Sequence, residues 1–229
     1  MSSIGDYCAV ACAELFRGDG AIMASPMGPI PKLGAQLAKA TFEPDLILTD
    51  GVATIVDLEG RKIGWMPYQR VFDMVWSGKR HVLMGASQID RGGNQNISCI
   101  GDYDRPKVML LGARGAPGNT ACHPTSYFIG RHSRRIFVPS VDMISGIGVD
   151  NGAFEIRAVV TNLGVFDFVS GAMGIRSLHP GVELADVVEQ TGFELHIPEE
   201  IRRTRAPTTA ESEWLERLDP DARIRGSVQ

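Results

Sequence analysis

Three glycine-rich stretches hold most of the side chains in this sequence that could meet a ligand. The first reads Leu48-Thr49-Asp50-Gly51. The second runs from Gly85 through Gln88, Asp90 and Gly93 to Asn94 and Asn96. The third runs from Gly112 through Arg114, Gly115, Gly118 and Asn119 to Cys122, His123 and Pro124. Glycine lets a backbone adopt φ > 0 and lets a ligand approach closely, and N–H groups exposed in such loops can hold phosphate oxygens or a developing oxyanion. Each stretch also has a bland reading as a turn. Thr49 and Asp50 line a cleft or form an Asp-Gly turn. Asp90, Asn94 and Asn96 meet a substrate or partner, or brace their loop by bonding its backbone, the reading favoured for Asp90. Gly112, Arg114 and Gly115 receive a carbonyl oxygen or a phosphate, or permit a tight turn. Arg114 is the residue there able to pair with an anion.

Other constellations point to less. Cys122 and His123 are sequence neighbours with His123 restrained by Pro124, a poor arrangement for a nucleophile and its base. Cys8 and Cys12 lie one helical turn apart on an apolar face and read as buried thiols. With no CxxC and no HxxxH, a zinc site is not expected. His132, among Arg131, Arg134 and Arg135, reads as part of a solvated basic rim that could steer phosphates. Trp65, Trp76 and Trp214 read as core or interface residues. A formal charge of −4 and a pI near 5.7 argue against a polyanion-binding surface. The N-terminal stretch lacks a basic leader and no run of 18 apolar residues exists, so the expectation is a chain without a membrane span, in a cytoplasmic, reducing compartment.

The elements that must position these loops alternate. Apolar spacing predicts helices over 4–16, 33–41, 68–76 and 182–190, with a last helix capped by Thr208 or Thr209 and ended by Pro220. Apolar runs at 21–25, 45–49, 81–86, 107–113, 135–139 and 192–198 read as strands, and residues 152–170 as alternating strands. The expected fold is α/β: a mixed, mostly parallel sheet covered by helices, in one domain spanning 1–229. The segment from about 206 forms a C-terminal helix followed by a loosely held tail. Ligands of such sheets bind outside the carboxyl ends of the strands, where all three glycine-rich stretches are expected.

In this order the stretches resemble something more specific. GASQIDRGGNQN (85–96) is similar to the beta-subunit signature of class I CoA-transferases, a G-A-x-Q-x-D segment leading to G-N-x-N. GARGAPGNTACHPTSYFIGRHSRRIFV (112–138) resembles the glutaconate CoA-transferase branch, and APTTAESEWLERLDP (206–220) the closing helix of these subunits. The resemblance implies the CoA-transferase-like fold, an alpha-subunit partner in a heterodimer or α2β2 assembly, and a site built at the interface. It implies no cofactor and no metal, since CoA is part of the substrate. It suggests Thr49, Asp50, Gln88, Asn94, Asn96, Gly112, Arg114, Gly115 and Asn119 as residues facing substrate or CoA.

One departure narrows it. Beta subunits of the family carry S-E-x-G after an early strand, and that glutamate attacks the acyl-CoA. Here Thr49 stands in its place, Asp50 projects differently one position on, and Glu14, Glu43 and Glu59 are not placed to substitute. A threonine without a paired base is a poor nucleophile, so no catalytic group is assigned to this chain. This pattern resembles the branch of the family that hydrolyses a carbon–carbon bond of a steroid-derived cyclic keto acyl-CoA in actinobacterial cholesterol catabolism. There the resemblance implies a general base on the alpha subunit. A CoA transfer using a partner's glutamate, and a non-catalytic structural subunit, are the alternatives. A sugar-phosphate isomerase lacks support, since the loops hold no convincing pair of carboxylates with a lysine.

Overall fold

The computed structural model describes residues 2–77, 79–113 and 115–228. Helix α1 (Ile4–Glu14) starts at a capping box in which the Ser3 hydroxyl accepts from the Asp6 N–H and Asp6 accepts from the Ser3 N–H, leaving few orphan donors at its start. It is apolar on nearly every side and accordingly buried. Strand β1 (Met23–Pro26) follows. Gly28, at φ 109°, turns the chain into α2 (Pro29–Thr41), whose Pro29 fits the first helical turn. Helices α1 and α2 cross so closely that a Cβ on Gly34 would lie 2.5 Å from Cys12 Cβ.

Strand β2 (Ile47–Leu48) leads to the hairpin β3 (Thr54–Val56) and β4 (Lys62–Trp65), then helix α3 (Tyr68–Ser77). The fully buried β5 (Arg80–Met84) is followed by two small hairpins: β6 (Gln88–Ile89) with β7 (Gln95–Asn96), and β8 (Cys99–Ile100) with β9 (Val108–Met109). Next come α4 (Ala116–Cys122), β10 (Pro124–Ile129), β11 (Glu155–Thr161), β12 (Gly164–Asp167), β13 (Gly174–Leu178), α5 (Leu184–Gln190), β14 (Arg202–Arg203) and α6 (Thr209–Leu218). Thr208 caps α6 in a second capping box, with Glu211.

One eight-stranded sheet runs in the order β14-β13-β12-β11-β10-β5-β1-β2. Strands β2, β1, β5, β10 and β11 are parallel, and β12 is antiparallel to both neighbours. The fold is thus α/β with a mixed, mostly parallel sheet. Burial without alternation along β5 and β10 reflects cover on both faces. One apolar cluster joins α1, α2 and Leu215 of α6, and the other gathers Tyr127, Phe137, Phe166 and Met173. Among the described residues, no helix is long and apolar enough to cross a membrane.

Several expected elements differ. The 107–113 stretch is no buried strand. The Asp102–Pro106 turn folds it back, so that Lys107 N–H donates to Ile100 O at 2.9 Å, and only Val108–Met109 pairs, with both side chains exposed. The 135–139 stretch joins Ile89 by one bridge and sends Phe137 into the core, and 192–198 reaches Gly174 by one bridge through His196. Strand β10, whose Pro124, Thr125 and Ser126 hide an apolar run, and the short α4 had no periodic signal. The C-terminal segment is pinned rather than loose: Arg225 pairs with Asp6 at 2.8 Å and with Asp219 at 3.3 Å. The close fit of Gly5 beneath Arg225, where a Cβ would meet the carbonyl, holds it on α1.

Candidate active site

The parallel strands deliver Met27–Gly28, Thr49–Gly51, Gly85–Ser87 and Gly130 to one end of the sheet. Helix α4 brings Gly115 to the same end, because its last residue feeds directly into the start of β10. The three glycine-rich stretches do converge there, as the strand-end rule requires, although the third arrives from a hairpin rather than from a sheet strand.

Thr49 is buried, its hydroxyl donating to Ala24 O at 2.9 Å while accepting from Gly51 N–H at 3.1 Å. Gly51, at φ 94°, sits so near Pro26 that a Cβ would lie 2.6 Å from its carbonyl oxygen. Asp50 Oδ1 accepts from the N–H groups of Val52, Ala53 and Thr54 at 2.9–3.0 Å. Burial alone would raise this carboxyl, but those donors outweigh it and hold it below the usual carboxylate range. Thr49 and Asp50 border a small cleft of about 110 Å³, with Pro26, Lys32 and Gln36. That space suits a few waters or a small group, not an acyl-CoA.

The second stretch is a closed network. Gln88 donates to Asp142 and accepts from Asn96 Nδ2 at 2.7 Å, and Asn96 Oδ1 accepts from Ser98 N–H at 2.9 Å. Asn94 Nδ2 donates to Asp90 at 3.1 Å and Asp150 at 3.0 Å, while its Oδ1 accepts from Gly148 N–H at 2.8 Å. Burial first, with Asp150 adding to it, raises the Asp90 carboxyl above its ordinary value. Gln88, Asn94 and Asn96 therefore brace the hairpin and have no amide oxygen without a donor. In the third stretch Gly112 N–H is committed to Ile97 O at 3.2 Å, which removes it as an oxyanion donor. Asn119 is buried and accepts from Arg80 Nη1 at 2.8 Å. Arg114 lies outside the described residues.

Two features had no sequence signal. Arg80 is buried, held by Ser25 Oγ at 2.7 Å and by Asn119, and among the described residues no carboxylate pairs with it; burial lowers it to about 10. Next to its charge, His123 is pushed down to about 4, mainly by burial, and among the described residues no side chain bonds its ring nitrogens, which leaves no dyad with Cys122. The second feature is a Ser-His-Asp alignment: His81 Nε2 is 3.0 Å from Ser126 Oγ, and His81 Nδ1 is 2.6 Å from Asp19 Oδ2. The spacing matches a hydrolase triad. Yet Ser126 and His81 are fully buried, with the Phe16 ring tilted against the imidazole at 4.6 Å between centroids, so no substrate reaches the hydroxyl. It is a structural latch between the turn that follows α1 and the sheet. His132 likewise leaves the expected rim for the core, stacked on Phe137 at 3.6 Å and bonded to Thr191 Oγ1 at 2.9 Å. Trp65 and Trp76 are exposed. Among the described residues, no group of three His, Cys, Asp or Glu side chains is placed to hold a metal ion.

A family model described as coenzyme A transferase matches residues 72–190. The cholesterol ring-cleaving hydrolase IpdB subunit of Rhodococcus jostii is 48% identical, covering 94% of this chain and 92% of that protein. One of the subunits of the 3-oxoadipate CoA-transferase of Pseudomonas knackmussii is 30% identical, over 95% and 93%. The crystal structure of Rhodococcus jostii RHA1 IpdAB superposes with a TM-score of 0.94 at 45% identity, over 100% of this chain and 99% of that one.

Proposed function

The chain belongs to the coenzyme A transferase family, and from that premise we propose that it is the beta subunit of a heteromeric hydrolase. Its substrate would be a steroid-derived cyclic keto acyl-CoA, of which it cleaves a ring carbon–carbon bond. The observation that carries this reading is Thr49. At the place where transferases of the family have their glutamate, this chain has a buried hydroxyl whose donor and acceptor capacities are both engaged. Asp50 beside it is caged by three N–H groups. The carboxylate that forms the acyl anhydride in CoA transfer is thus replaced by an engaged hydroxyl, a poor nucleophile. The likeness to the IpdB subunit, over nearly the full length of both proteins, supports the same reading.

The alpha subunit supplies the general base in this scheme. The base takes a proton from water as the water's oxygen adds to the ring ketone. The tetrahedral adduct collapses, breaking the carbon–carbon bond; the former ketone becomes a carboxylic acid. The released electron pair forms an enolate on the thioester side and is then protonated. The CoA thioester stays intact throughout. A positioned base contributes about 10²–10⁴-fold and each oxyanion donor about 10²–10³-fold, so both subunits are needed. CoA is part of the substrate, and no cofactor enters the scheme. The assembly is an α2β2 heterotetramer working in the cytoplasm, where the free thiols Cys8, Cys12, Cys99 and Cys122 stay reduced.

The test is turnover of a ring-containing steroid acyl-CoA by the purified alpha–beta pair in ¹⁸O-labelled water. A product heavier by one labelled water and still bearing CoA is expected. CoA appearing on an added carboxylic acid would instead favour transfer by a glutamate of the partner, the reading to which the 3-oxoadipate CoA-transferase relative lends support.

A further inference from the structure

We infer that the alpha subunit docks on the outer face of the β3–β4 hairpin and helix α3, an inference that rests on the proposed two-subunit reading. In α3, Tyr68, Phe72 and Trp76 recur at i, i+4 and i+8, the spacing of one helical stripe. Such a stripe belongs against a core, yet these side chains are 76%, 46% and 73% exposed. The helix is not loosely placed. Val75, at the border of that stripe and 6% exposed, seats against α4, where a Cβ on Gly118 would lie 2.4 Å from Val75 Cγ1. In β4, Ile63 and Trp65 alternate onto one face of the hairpin and are 66% and 60% exposed. Val108, Met109 and Leu111, which lead into the third glycine-rich stretch, are exposed as well.

The size and placement of this face select its occupant. Its four aromatic rings alone expose on the order of 500 Å², as much as the largest apolar patches of monomers, which are often functional, and more than half of the roughly 800 Å² that one partner contributes to a stable interface. The face is continuous with the candidate site. Asp50 N–H donates to Thr54 O at 2.9 Å and Thr49 bridges Ile55, so the hairpin springs directly from the Thr49–Gly51 loop. A chain seated here would close over the strand ends and could place a base beside them. Two of the flanking arginines are already paired, Arg61 with Asp57 and Arg70 with Asp73, which suits a protein partner rather than an anionic membrane. The solved relative with TM-score 0.94 is IpdAB, whose IpdB subunit this chain resembles over its whole length; that leaves a second chain to be accommodated.

The experiment uses the full chain with the alpha-type chain of its own source, comparing wild type with Trp65→Glu, Phe72→Glu and the distant exposed-site control Val169→Glu. Circular dichroism and thermal melting check that each variant folds, and hydrogen exchange is followed over 62–77 in wild type with and without the alpha chain. The expected result is wild-type and Val169→Glu assembly, weakening of at least about 30-fold for the two aromatic variants, as for hot-spot residues, and protection of 62–77 on assembly. Wild-type assembly with undiminished affinity in both aromatic variants and no protection would overturn the docking face while leaving the proposed function standing. A wild-type chain that binds no alpha chain would overturn both. Self-association of this chain through the same face, with the alpha chain bound elsewhere, would assign the face to a second copy and overturn the inference.

Discussion

The hydroxyl of Thr49 donates to the Ala24 carbonyl at 2.9 Å, tying the end of β2 to its neighbour β1 at the position that the proposed function equates with the transferase nucleophile. A side chain spent on holding two strand ends together cannot attack a thioester. Thr49→Val keeps the shape and removes both hydrogen bonds. We expect a loss of about 1–2 kcal/mol in chemical denaturation and turnover within about tenfold of wild type. A loss of activity of several orders of magnitude, or a hydroxylamine-sensitive adduct on Thr49, would restore it as a catalytic group.

Gly51 should be less forgiving than Thr49. Its φ of 94° disfavours any side chain, and a Cβ would lie 2.6 Å from the Pro26 carbonyl oxygen, a backbone atom that cannot step aside. Gly51→Ala must therefore displace the loop that borders the cleft. Because ångström-scale misplacement can cost about 10²-fold, kcat/KM of the assembled enzyme should fall by roughly one to two orders of magnitude. An unchanged kcat/KM would remove this loop from the working site.

Much of the fold was legible in the sequence because helices α1, α3 and α6 carry clear periodicity or caps and β5 ends in the apolar run Val82-Leu83-Met84. Strand β10 escaped because its early residues, Pro124, Thr125 and Ser126, are polar or helix-breaking by type; burial makes them strand residues only once Asn119, His123 and His81 supply their partners. The 107–113 run misled for the opposite reason, since its apolar side chains lie on the surface. For the site, the strand-end rule located the loops correctly. It could not tell which side chains face a ligand. The amides of Gln88 and Asn94 find partners on residues 142–151, some fifty positions away, and no local pattern encodes that.

Those distant partners give Asn94 a structural rather than a binding role. Asn94→Ala withdraws donors from Asp90 and Asp150 and strands Gly148 N–H. Each buried group left unsatisfied costs about 1–3 kcal/mol. The expected outcome is a pronounced drop in Tm with the KM for acyl-CoA nearly unchanged in the fraction that folds. A raised KM without loss of Tm would return Asn94 to the substrate.

The C-terminal segment makes a contrasting prediction. Arg225 lies between Asp6 of α1 and Asp219 after α6, and both carboxyls are held below their usual values, contacts with Arg225 outweighing the upward push of burial. Deleting residues 225–229 removes those partners and uncovers Gly5, so the loss in denaturation should be on the order of 1–3 kcal/mol. A free tail would be removed at no cost.

Acid should weaken the protein through its buried imidazoles before its carboxylates titrate. Burial pushes His132 down to about 3 from an ordinary value near 6.5, and the ring sits neutral between Phe137, Thr161 and Thr191. His81 and His179 are lowered too, with burial the leading cause in both. A histidine whose folded value lies below its unfolded one favours the native state fully above pH 6.5. That contribution shrinks as pH falls, because the unfolded chain takes up a proton that the folded one refuses, at about 1.4 kcal/mol per unit for each such group. The urea midpoint should therefore fall steadily between pH 6.5 and 5. His132→Phe, which keeps an aromatic ring beside Phe137 but cannot titrate, should start lower for want of its two hydroxyl partners and show a shallower slope over that interval. An equal slope in wild type and variant would mean that His132 takes up its proton without unfolding.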